Sequence, residues 1–425
     1  MKRALIASFG ASGAIQLVNV LSGVVLARQL GPSSRGALAA VVLWPSLLAT
    51  VGMLGLPDAL TVRTARRDRE LSLVVGTGLA AAALQAAALV AIGLAAIPFV
   101  LSHYGAPTVH LALAFLLFVP LNLTTLGLMG VLNGLERYAA FQTLRVLVTG
   151  LSAGAIFALA GSGRLDLKNA VVAYLTANAI ALAAALWLAR SVLAGLRVSR
   201  ALMRELLVFG AKSHTSGVST LLNERLDQLV ISAFLAPMQL GLYVIAVTFT
   251  SVTTLVGTSV AFVALPVISR NCHAEALAMQ IRRMTVITLT VSLAVSVPLI
   301  ALAPQLIELF FGRSYLPVTN VCRVLLAAVV MLSMSRTLAA ALKGAGRPLQ
   351  AGLADGIGLL VTVVALGALL PPLGLLGAAI ASVLAYGATL LFMARAAGRV
   401  VGTSARGLVS GRGSVVPVAI TGIEP

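Results

Sequence analysis

The segment from Asn223 to Val247 reads NERLDQLVISAFLAPMQLGLYVIAV and places three charged residues at the start of a long apolar run. Glu224, Arg225 and Asp227 fall within four positions, and among the next nine residues only Gln228 and Ser232 are polar. A helix needs about 20 mostly apolar residues to cross the hydrocarbon core of a bilayer. Charges within such a helix are costly, so they mark a functional site or an ion pair between helices.

The composition of the whole chain predicts a membrane protein. Of its 425 residues, 60% are hydrophobic and 10% are charged, whereas a soluble domain has about 25% charged residues. The net charge of +18 is typical of basic cytoplasmic loops between membrane spans. We expect no nucleic-acid binding, because the chain lacks the combined aromatic and basic stripes of such proteins.

The apolar runs are continuous and do not alternate with polar residues, which predicts spanning helices and not a β-barrel. We predict an all-α polytopic membrane protein with twelve transmembrane helices. The first run is too long for a cleaved signal peptide and is interpreted as the first span. The predicted spans are 4–27, 37–60, 71–100, 109–133, 138–160, 169–193, 205–235, 238–265, 284–309, 316–342, 351–370 and 374–395.

The distribution of lysine and arginine predicts the orientation of the chain. With both termini in the cytoplasm, the inner segments contain twenty of these residues and the outer loops contain five. Such an excess is the usual bias of cytoplasmic loops. In residues 397–425, Gly, Ser and Arg interrupt every apolar cluster, which predicts a disordered cytoplasmic tail.

Segments of the first half recur in the second half about 200 to 210 positions later. This spacing predicts a tandem duplication of six spans, with lobes at 1–197 and 198–396. Because six is even, the two lobes have the same orientation and are related by an axis along the membrane normal, with a shared cavity between them. The matching residues are Pro32 with Pro237, Gly36 with Gly241, Gly134 with Gly344, Arg137 with Arg347, and Phe9-Gly10 with Phe209-Gly210.

The seventh span has the most charged residues. At about 100° per residue, His214 and Arg225 lie about 20° apart on a helix, and Asp227 lies about 160° from Arg225 with Glu224 between them. The helix therefore has a basic stripe and a separate acidic edge. These side chains either face a transport cavity or form ion pairs that hold helices together.

Other predicted spans also contain charged residues, namely Arg145, Arg323, Arg336 and Asp355. Arg145 and Asp355 occupy equivalent positions of the repeat, so they could meet as a gate, or each could pair locally or extend toward the membrane surface. A guanidinium group matches phosphate in geometry and stays charged. A cavity with several arginines favours an anionic substrate that contains a diphosphate.

Two further patterns bear on packing and on catalysis. The sequences GLSAG (150–154) and GLADG (352–356) are G-x-x-x-G patterns, which predict close helix contacts. The four histidines lack metal-ligand spacing, so we expect neither a metal site nor a cofactor. No acidic pair lies in a sizeable loop, so we do not expect an enzyme.

Three segments resemble the polysaccharide flippase family of the multidrug, oligosaccharidyl-lipid and polysaccharide exporter superfamily. They are ARQLGPSSRGALA (27–39), ERLDQLVISAFLAPMQLGLYVIAV (224–247) and LKGAGRP (342–348). The resemblance extends to about Ala396. It implies alternating access by two six-helix lobes in the cytoplasmic (inner) membrane. It also implies transfer of a polyprenyl-diphosphate-linked oligosaccharide to the outer leaflet for cell-surface polysaccharide synthesis.

The resemblance suggests roles for the charged residues within spans. Substrate binding is predicted for Arg225, His214, Arg145, Arg323 and Arg336, and ion coupling, with H⁺ or Na⁺ as the ion, for Asp227, Glu224 and Asp355. Membrane lipids and the glycan polymerase machinery are further expected partners. The alternatives are a multidrug or cation antiporter of the same superfamily, and a polytopic glycan polymerase or ligase. Gln16 and Asn19 are the polar residues of the first span, where drug antiporters often have an acidic residue.

Overall fold

The computed structural model describes residues 2–67, 69–269 and 274–401, and these residues form helices joined by short connections. No strand occurs within this part of the chain. Residues 402–425, which make up most of the predicted cytoplasmic tail, lie outside the described residues. The helices are α1 (Lys2–Gly52), α2 (Leu56–Arg66), α3 (Leu71–Val100), α4 (Ala106–Phe115), α5 (Phe118–Gly134), α6 (Tyr138–Gly161), α7 (Leu167–Ala189), α8 (Arg200–Phe234), α9 (Pro237–Ser269), α10 (Ala274–Ala301), α11 (Ala303–Phe311), α12 (Thr319–Gly344) and α13 (Pro348–Val401).

Most helices agree with the predicted spans, whereas the predicted span 37–60 crosses the break between α1 and α2 at residues 53–55. Nine stretches of the described chain are long and apolar enough to cross a membrane. Two of them, in α1 and α13, contain two helices each, separated by a residue with non-helical backbone angles. Counting those halves separately and adding the charged helix α8 gives the twelve predicted segments. The prediction of an all-α polytopic membrane protein is confirmed.

Glycine permits the sharp changes of direction within α1 and α13. Gly31 has φ 71° and ψ 173°, and Gly374 has φ 56° and ψ −134°. A side chain at such positive φ values is strained, whereas glycine has no Cβ and adopts them at little cost. Each glycine therefore ends one apolar segment and allows the next to begin within a few residues.

Contacts divide the described chain into two compact units. The first contains the described residues up to Val218 together with Ile231–Leu242, and the second contains Ser219–Val230 together with the described residues from Tyr243 onward. The predicted lobes at 1–197 and 198–396 were defined by a sequence repeat and not by packing. That lobe boundary stays a prediction.

The first unit is built around α1 and α5. Helix α1 packs against α4, α6 and α7, and α5 packs against α2, α3 and α7. Polar contacts join α8 to the earlier helices within this unit, and one is the hydrogen bond that Trp44 of α1 donates to the Ser232 hydroxyl at 3.1 Å. Arg63 of α2 forms an ion pair with Glu205 of α8, and the ring of His214 lies 2.9 Å from the carbonyl oxygen of Thr50.

In the second unit, α12 packs against α10, α11 and α13. Buried hydroxyl groups connect these helices, because Thr288 of α10 is 2.9 Å from Thr337 of α12 and Thr253 of α9 is 3.1 Å from Ser296 of α10. Hydrogen bonds between hydroxyls of neighbouring helices stabilise membrane bundles, where no water competes for them. The unit therefore combines apolar packing with specific polar contacts.

Many large apolar side chains lie on the outside of the helices, as expected for a surface covered by lipid. Phe99 is 85% exposed, and Leu360 and Val364 are 65% and 64% exposed. A water-soluble protein rarely presents so many apolar side chains together. The exposed surface therefore supports the membrane assignment independently of the composition.

Two glycines at equivalent positions of the predicted repeat contact one another within the first unit. A Cβ added to Gly36 would overlap the carbonyl oxygen of Pro237, and a Cβ added to Gly241 would overlap the carbonyl oxygen of Pro32. The beginning of α9 therefore lies backbone to backbone against α1.

The G-x-x-x-G patterns do not have the predicted packing role. Among the described atoms, none lies within 4 Å of a Cβ added at Gly150, Gly154, Gly352 or Gly356. The prediction of close helix contacts at these two patterns is therefore wrong. A spacing of four residues places two glycines on one helix face but does not decide whether another helix lies against that face.

We predict that Gly36→Ala and Gly241→Ala each destabilise the protein, by about 1–3 kcal/mol, because the added methyl group must push two backbones apart. The measurement is the thermal unfolding midpoint of the purified full-length protein in detergent. Gly352→Ala is the matched control, because it also adds a methyl group to a helical glycine but meets open space. Equal midpoints for the three variants would show that the contact does not contribute to stability.

Candidate functional site

The charged segment identified in the sequence forms the second half of α8. The helix continues to Phe234, Leu235 has an extended backbone, and α9 begins at Pro237. Glu224 and Asp227 are three residues apart, so they point from neighbouring positions of the helix surface. The two acidic side chains nevertheless have different surroundings.

Glu224 forms an ion pair with Arg336 of α12. Arg336 Nη2 donates to Glu224 Oε1 at 2.5 Å, and Arg336 Nη1 donates to Thr258 Oγ1 of α9 at 2.8 Å. The guanidinium group thus connects α8, α9 and α12. The side chains of Arg336 and Glu224 are 27% and 30% exposed, so the pair is partly accessible.

The ion pair lies in the wall of a cavity within the second unit. Its volume is about 460 Å³, which is within the range of about 300–1,000 Å³ for small-molecule sites. Lys343 is exposed near the end of α12, so the cavity extends from the ion pair to that end of the helix. The lining residues are Asn223, Glu224, Thr258, Ala261, Leu332, Ser335, Arg336, Ala339, Ala340, Lys343, Asp355, Tyr386, Thr389 and Met393.

The cavity wall contains charges of both signs. Arg336 and Lys343 contribute two positive charges, and Glu224 and Asp355 contribute two negative charges. The rest of the wall consists of hydroxyl, amide and apolar side chains. A wall with charges of both signs can attract a bound anion at one position and a bound cation at another.

Asp227 is buried and does not line this cavity. Its Oδ2 atom accepts a hydrogen bond from the hydroxyl of Tyr243 at 2.6 Å, and its Oδ1 atom accepts one from the backbone N–H of Gln228 at 2.7 Å. Asp227 is 6% exposed and Tyr243 is fully buried. This arrangement connects α8 with α9 and matches the structural role that the sequence left open for Asp227.

Arg225 is exposed on α8, and its Nη1 atom lies 3.5 Å from Gln228 Oε1. Neither Arg225 nor His214 belongs to the cavity wall within the described part of the chain. His214 contacts the carbonyl oxygen of Thr50 in the first unit. The predicted substrate-binding roles of Arg225 and His214 stay predictions.

The remaining predicted cationic ligands lie elsewhere. Arg145 donates to Gln142 on its own helix at 3.1 Å. Arg323 is exposed and donates to the carbonyl oxygen of Ile300 at 3.3 Å. Arg145 belongs to the first unit and Asp355 to the second, and their predicted approach as a gate stays a prediction.

Of the eight predicted site residues, the structure therefore brings three into one cavity wall: Glu224, Arg336 and Asp355. Among the described residues, no group of three or more His, Cys, Asp and Glu side chains could hold a metal ion.

Sequence reasoning missed the polar neutral residues of the cavity region. Thr362 donates to Asn223 Oδ1 at 2.7 Å. Gly358 allows the two halves of α13 to approach each other, because an added Cβ would overlap the hydroxyl of Thr389. The spacing contained a usable signal, since Asp355 and Thr362 are seven residues apart and Tyr386 and Thr389 are three apart. Both intervals place polar side chains on one helix face.

We predict that Tyr243→Phe destabilises the protein by about 1–3 kcal/mol, because it leaves the buried Asp227 carboxylate without one of its hydrogen-bond donors. Thermal unfolding of the purified full-length protein measures the effect. Tyr138→Phe removes a hydroxyl from an exposed tyrosine and serves as the control. In the Asp227→Asn background the cost of Tyr243→Phe should fall. A cost equal to that of Tyr138→Phe would contradict the structural role of this pair.

Comparison with known proteins identifies the family. A family model described as "Polysaccharide biosynthesis protein" matches residues 25–320, which is more than half of the 425 residues. No curated protein sequence matches the chain.

Several solved structures have a similar fold. A lipid II flippase, MurJ, in an inward closed conformation has a TM-score of 0.77 and 15% identity, covering 92% of this chain and 87% of that chain. An inward-facing multidrug resistance MATE family transporter of the MOP superfamily has a TM-score of 0.71 and 18% identity, covering 92% and 96%. A MOP superfamily transporter from Pyrococcus furiosus, described as having a binding pocket of reversed polarity, has a TM-score of 0.57 and 17% identity, covering 93% and 95%.

At these identities the structures show a common fold, and the family match shows membership. Both agree with the resemblance found in the sequence. The chain belongs to the polysaccharide biosynthesis protein family and has the all-helical fold of MOP superfamily transporters.

Proposed function

We propose that the protein is a flippase that moves a polyprenyl-diphosphate-linked oligosaccharide from the inner to the outer leaflet of the cytoplasmic membrane. The observation that carries the proposal is the cavity that contains Arg336 and Lys343 within the membrane-spanning helices of a polysaccharide biosynthesis protein. Guanidinium and ammonium groups are the side chains that bind phosphate. A glycan made in the cytoplasm on a lipid diphosphate would present its phosphate groups to the cavity.

The fold supports transport by alternating access. Transporters with repeated bundles bind substrate near the middle of the membrane and expose the site to one side at a time. The excess of Lys and Arg in alternate loops supports cytoplasmic termini. The lobes at 1–197 and 198–396 are part of this proposal, as are ion coupling through Asp227, Glu224 or Asp355 and contact with the glycan polymerase machinery.

A multidrug or cation antiporter is the second candidate. The observation that favours it is the presence of Glu224 and Asp355 in the cavity wall, because carboxylates bind organic cations and protons. The likeness to MATE transporters in fold is compatible with either substrate class. A glycan polymerase is less well supported, since the similar folds belong to proteins described as transporters.

Deletion of the gene tests the proposed function. We expect lipid-linked oligosaccharide to accumulate on the cytoplasmic leaflet, and we expect the wild-type gene to restore its export. Its location can be measured by labelling the glycan with a membrane-impermeant lectin on right-side-out and inside-out vesicles. Unpolymerised units on the outer leaflet would instead identify a polymerase. Unchanged glycan export with reduced efflux of a cationic dye would identify an antiporter.

Arg225 is the predicted phosphate ligand nearest in sequence to the cavity residue Glu224. We predict that Arg225→Ala reduces outer-leaflet glycan by at least about tenfold in the complemented deletion strain, because a lost charge-assisted contact has an effect of that size. The amount of protein in the membrane should stay normal. Arg313→Ala is the control, since Arg313 is an exposed arginine paired with Glu308 at 2.7 Å and has no predicted role in substrate binding. Full export by Arg225→Ala would exclude Arg225 from substrate binding.

A further inference from the structure

The side chain of Arg336 is held in the cavity wall by partners on two other helices. One terminal nitrogen donates to the Glu224 carboxylate at 2.5 Å, and the other donates to the Thr258 hydroxyl at 2.8 Å. A guanidinium group has five N–H donors in a planar fork. Glu224 and Thr258 therefore each take one donor from the Nη1–Nη2 edge of the fork, which is one of the edges that can bind two phosphate oxygens.

We infer that Glu224 is an internal counter-ion for Arg336, which the diphosphate of the substrate displaces when it binds in the cavity. This inference rests on the proposed function and deepens it, because it assigns the diphosphate to one subsite and gives that subsite a built-in competitor. A carboxylate and a phosphate bind the guanidinium fork in the same geometry. They therefore compete for the same donors.

An internal counter-ion stabilises the transporter when no substrate is bound. A guanidinium group without a partner inside a membrane is costly, by about 3 kcal/mol on insertion scales. A carrier that releases an anionic substrate on one side must return with its site empty. Glu224 lies on α8 and reaches Arg336 of α12, so the pair neutralises the site during that return step.

Phosphate can displace Glu224 because neither Glu224 nor Arg336 is fully buried. Glu224 and Arg336 retain 30% and 27% side-chain exposure toward the cavity, so water can reach the carboxylate once phosphate has replaced it. By contrast, Asp227 on the same helix is 6% exposed and bonded to Tyr243. Of these two acidic residues, Glu224 is the one that can exchange its partner without leaving a buried charge unsatisfied.

The surrounding side chains favour a diphosphate at this position. Lys343 lies two helical turns beyond Arg336 on α12 and lines the same cavity, so a second cation follows along the wall. Ser335 and Thr389 add hydroxyl groups to the wall, and each donates to a backbone carbonyl one turn earlier on its own helix. With Glu224 displaced, Arg336 can bind one phosphate and Lys343 can neutralise the next.

Binding of inorganic pyrophosphate to the purified full-length protein in detergent tests the inference. Calorimetry at one fixed pH should show that Glu224→Gln binds pyrophosphate about tenfold or more tightly than wild type, because the competing charge is gone. Glu224→Asp, whose shorter side chain reaches Arg336 less well, should lie between them. Arg336→Gln should bind at least about tenfold more weakly than wild type.

Glu308→Gln is the matched control. Glu308 forms an ion pair with Arg313 at 2.7 Å, and neither residue lines the cavity. This variant removes the same charge from the same kind of pair and should leave pyrophosphate affinity unchanged. A gain of affinity in Glu224→Gln is a readout that structural damage would not produce. Unchanged or weaker binding by both Glu224→Gln and Glu224→Asp would overturn the inference.

A second measurement keeps the test independent of the binding assay. In the complemented deletion strain, Glu224→Gln should bind substrate but export less glycan, because the empty return step lacks its counter-ion. Glycan export at the wild-type rate by this variant would also overturn the inference. If wild type does not export lipid-linked glycan but Glu224→Gln still binds pyrophosphate more tightly, the proposed function fails and the anion subsite stands.

Discussion

The hydrocarbon core of the bilayer cannot hydrogen-bond to a peptide group or solvate a charge, and this constraint shapes the whole structure. Every spanning segment is helical, because a helix satisfies its own backbone. Each charged side chain that enters a span then needs a polar partner or access to water. Arg336 with Glu224 and Asp227 with Tyr243 are two answers to this requirement, and both connect α8 to other helices.

The need to satisfy charges within the bilayer produces a structural contact at Asp227 and a site open to a ligand at Glu224. Asp227 is enclosed and its carboxylate oxygens accept from Tyr243 and Gln228. Glu224, one turn earlier, opens onto a cavity of about 460 Å³. The difference is accessibility. An enclosed pair can only hold helices together, whereas a pair exposed to a cavity can exchange one partner for a ligand of the same charge.

The charges of the cavity wall bear on how a lipid-linked glycan would be recognised. A row of arginines alone would bind a diphosphate tightly and would retain it. A wall in which Arg336 and Lys343 are accompanied by Glu224 and Asp355 binds an anion less tightly, because Arg336 is already paired with Glu224 and Asp355 adds a second negative charge. Such a balance suits a transporter, which must release its substrate as readily as it binds it.

Small residues allow close helix contacts in the first unit, and hydroxyl groups connect helices in the second. Gly36 and Gly241 let two backbones meet where any side chain would separate them. Hydroxyl pairs such as Thr288 with Thr337 connect helices of the second unit. Small and hydroxyl-bearing residues do this in membranes because apolar side chains have no preference for one another over lipid.

The sequence by itself determined the membrane setting, the positions of the spanning segments and the recurrence of its turns, because these follow from apolar length, charge bias and repeat spacing within the chain. It also identified Glu224, Arg336 and Asp355 as charges that required an explanation. Only the tertiary structure decided which charges share a surface: it placed those three around one cavity and enclosed Asp227 behind Tyr243. It also left the G-x-x-x-G glycines without close neighbours among the described residues. The physical reason is that helical periodicity sets the direction of a side chain from its own axis, whereas its partner depends on which helix lies opposite.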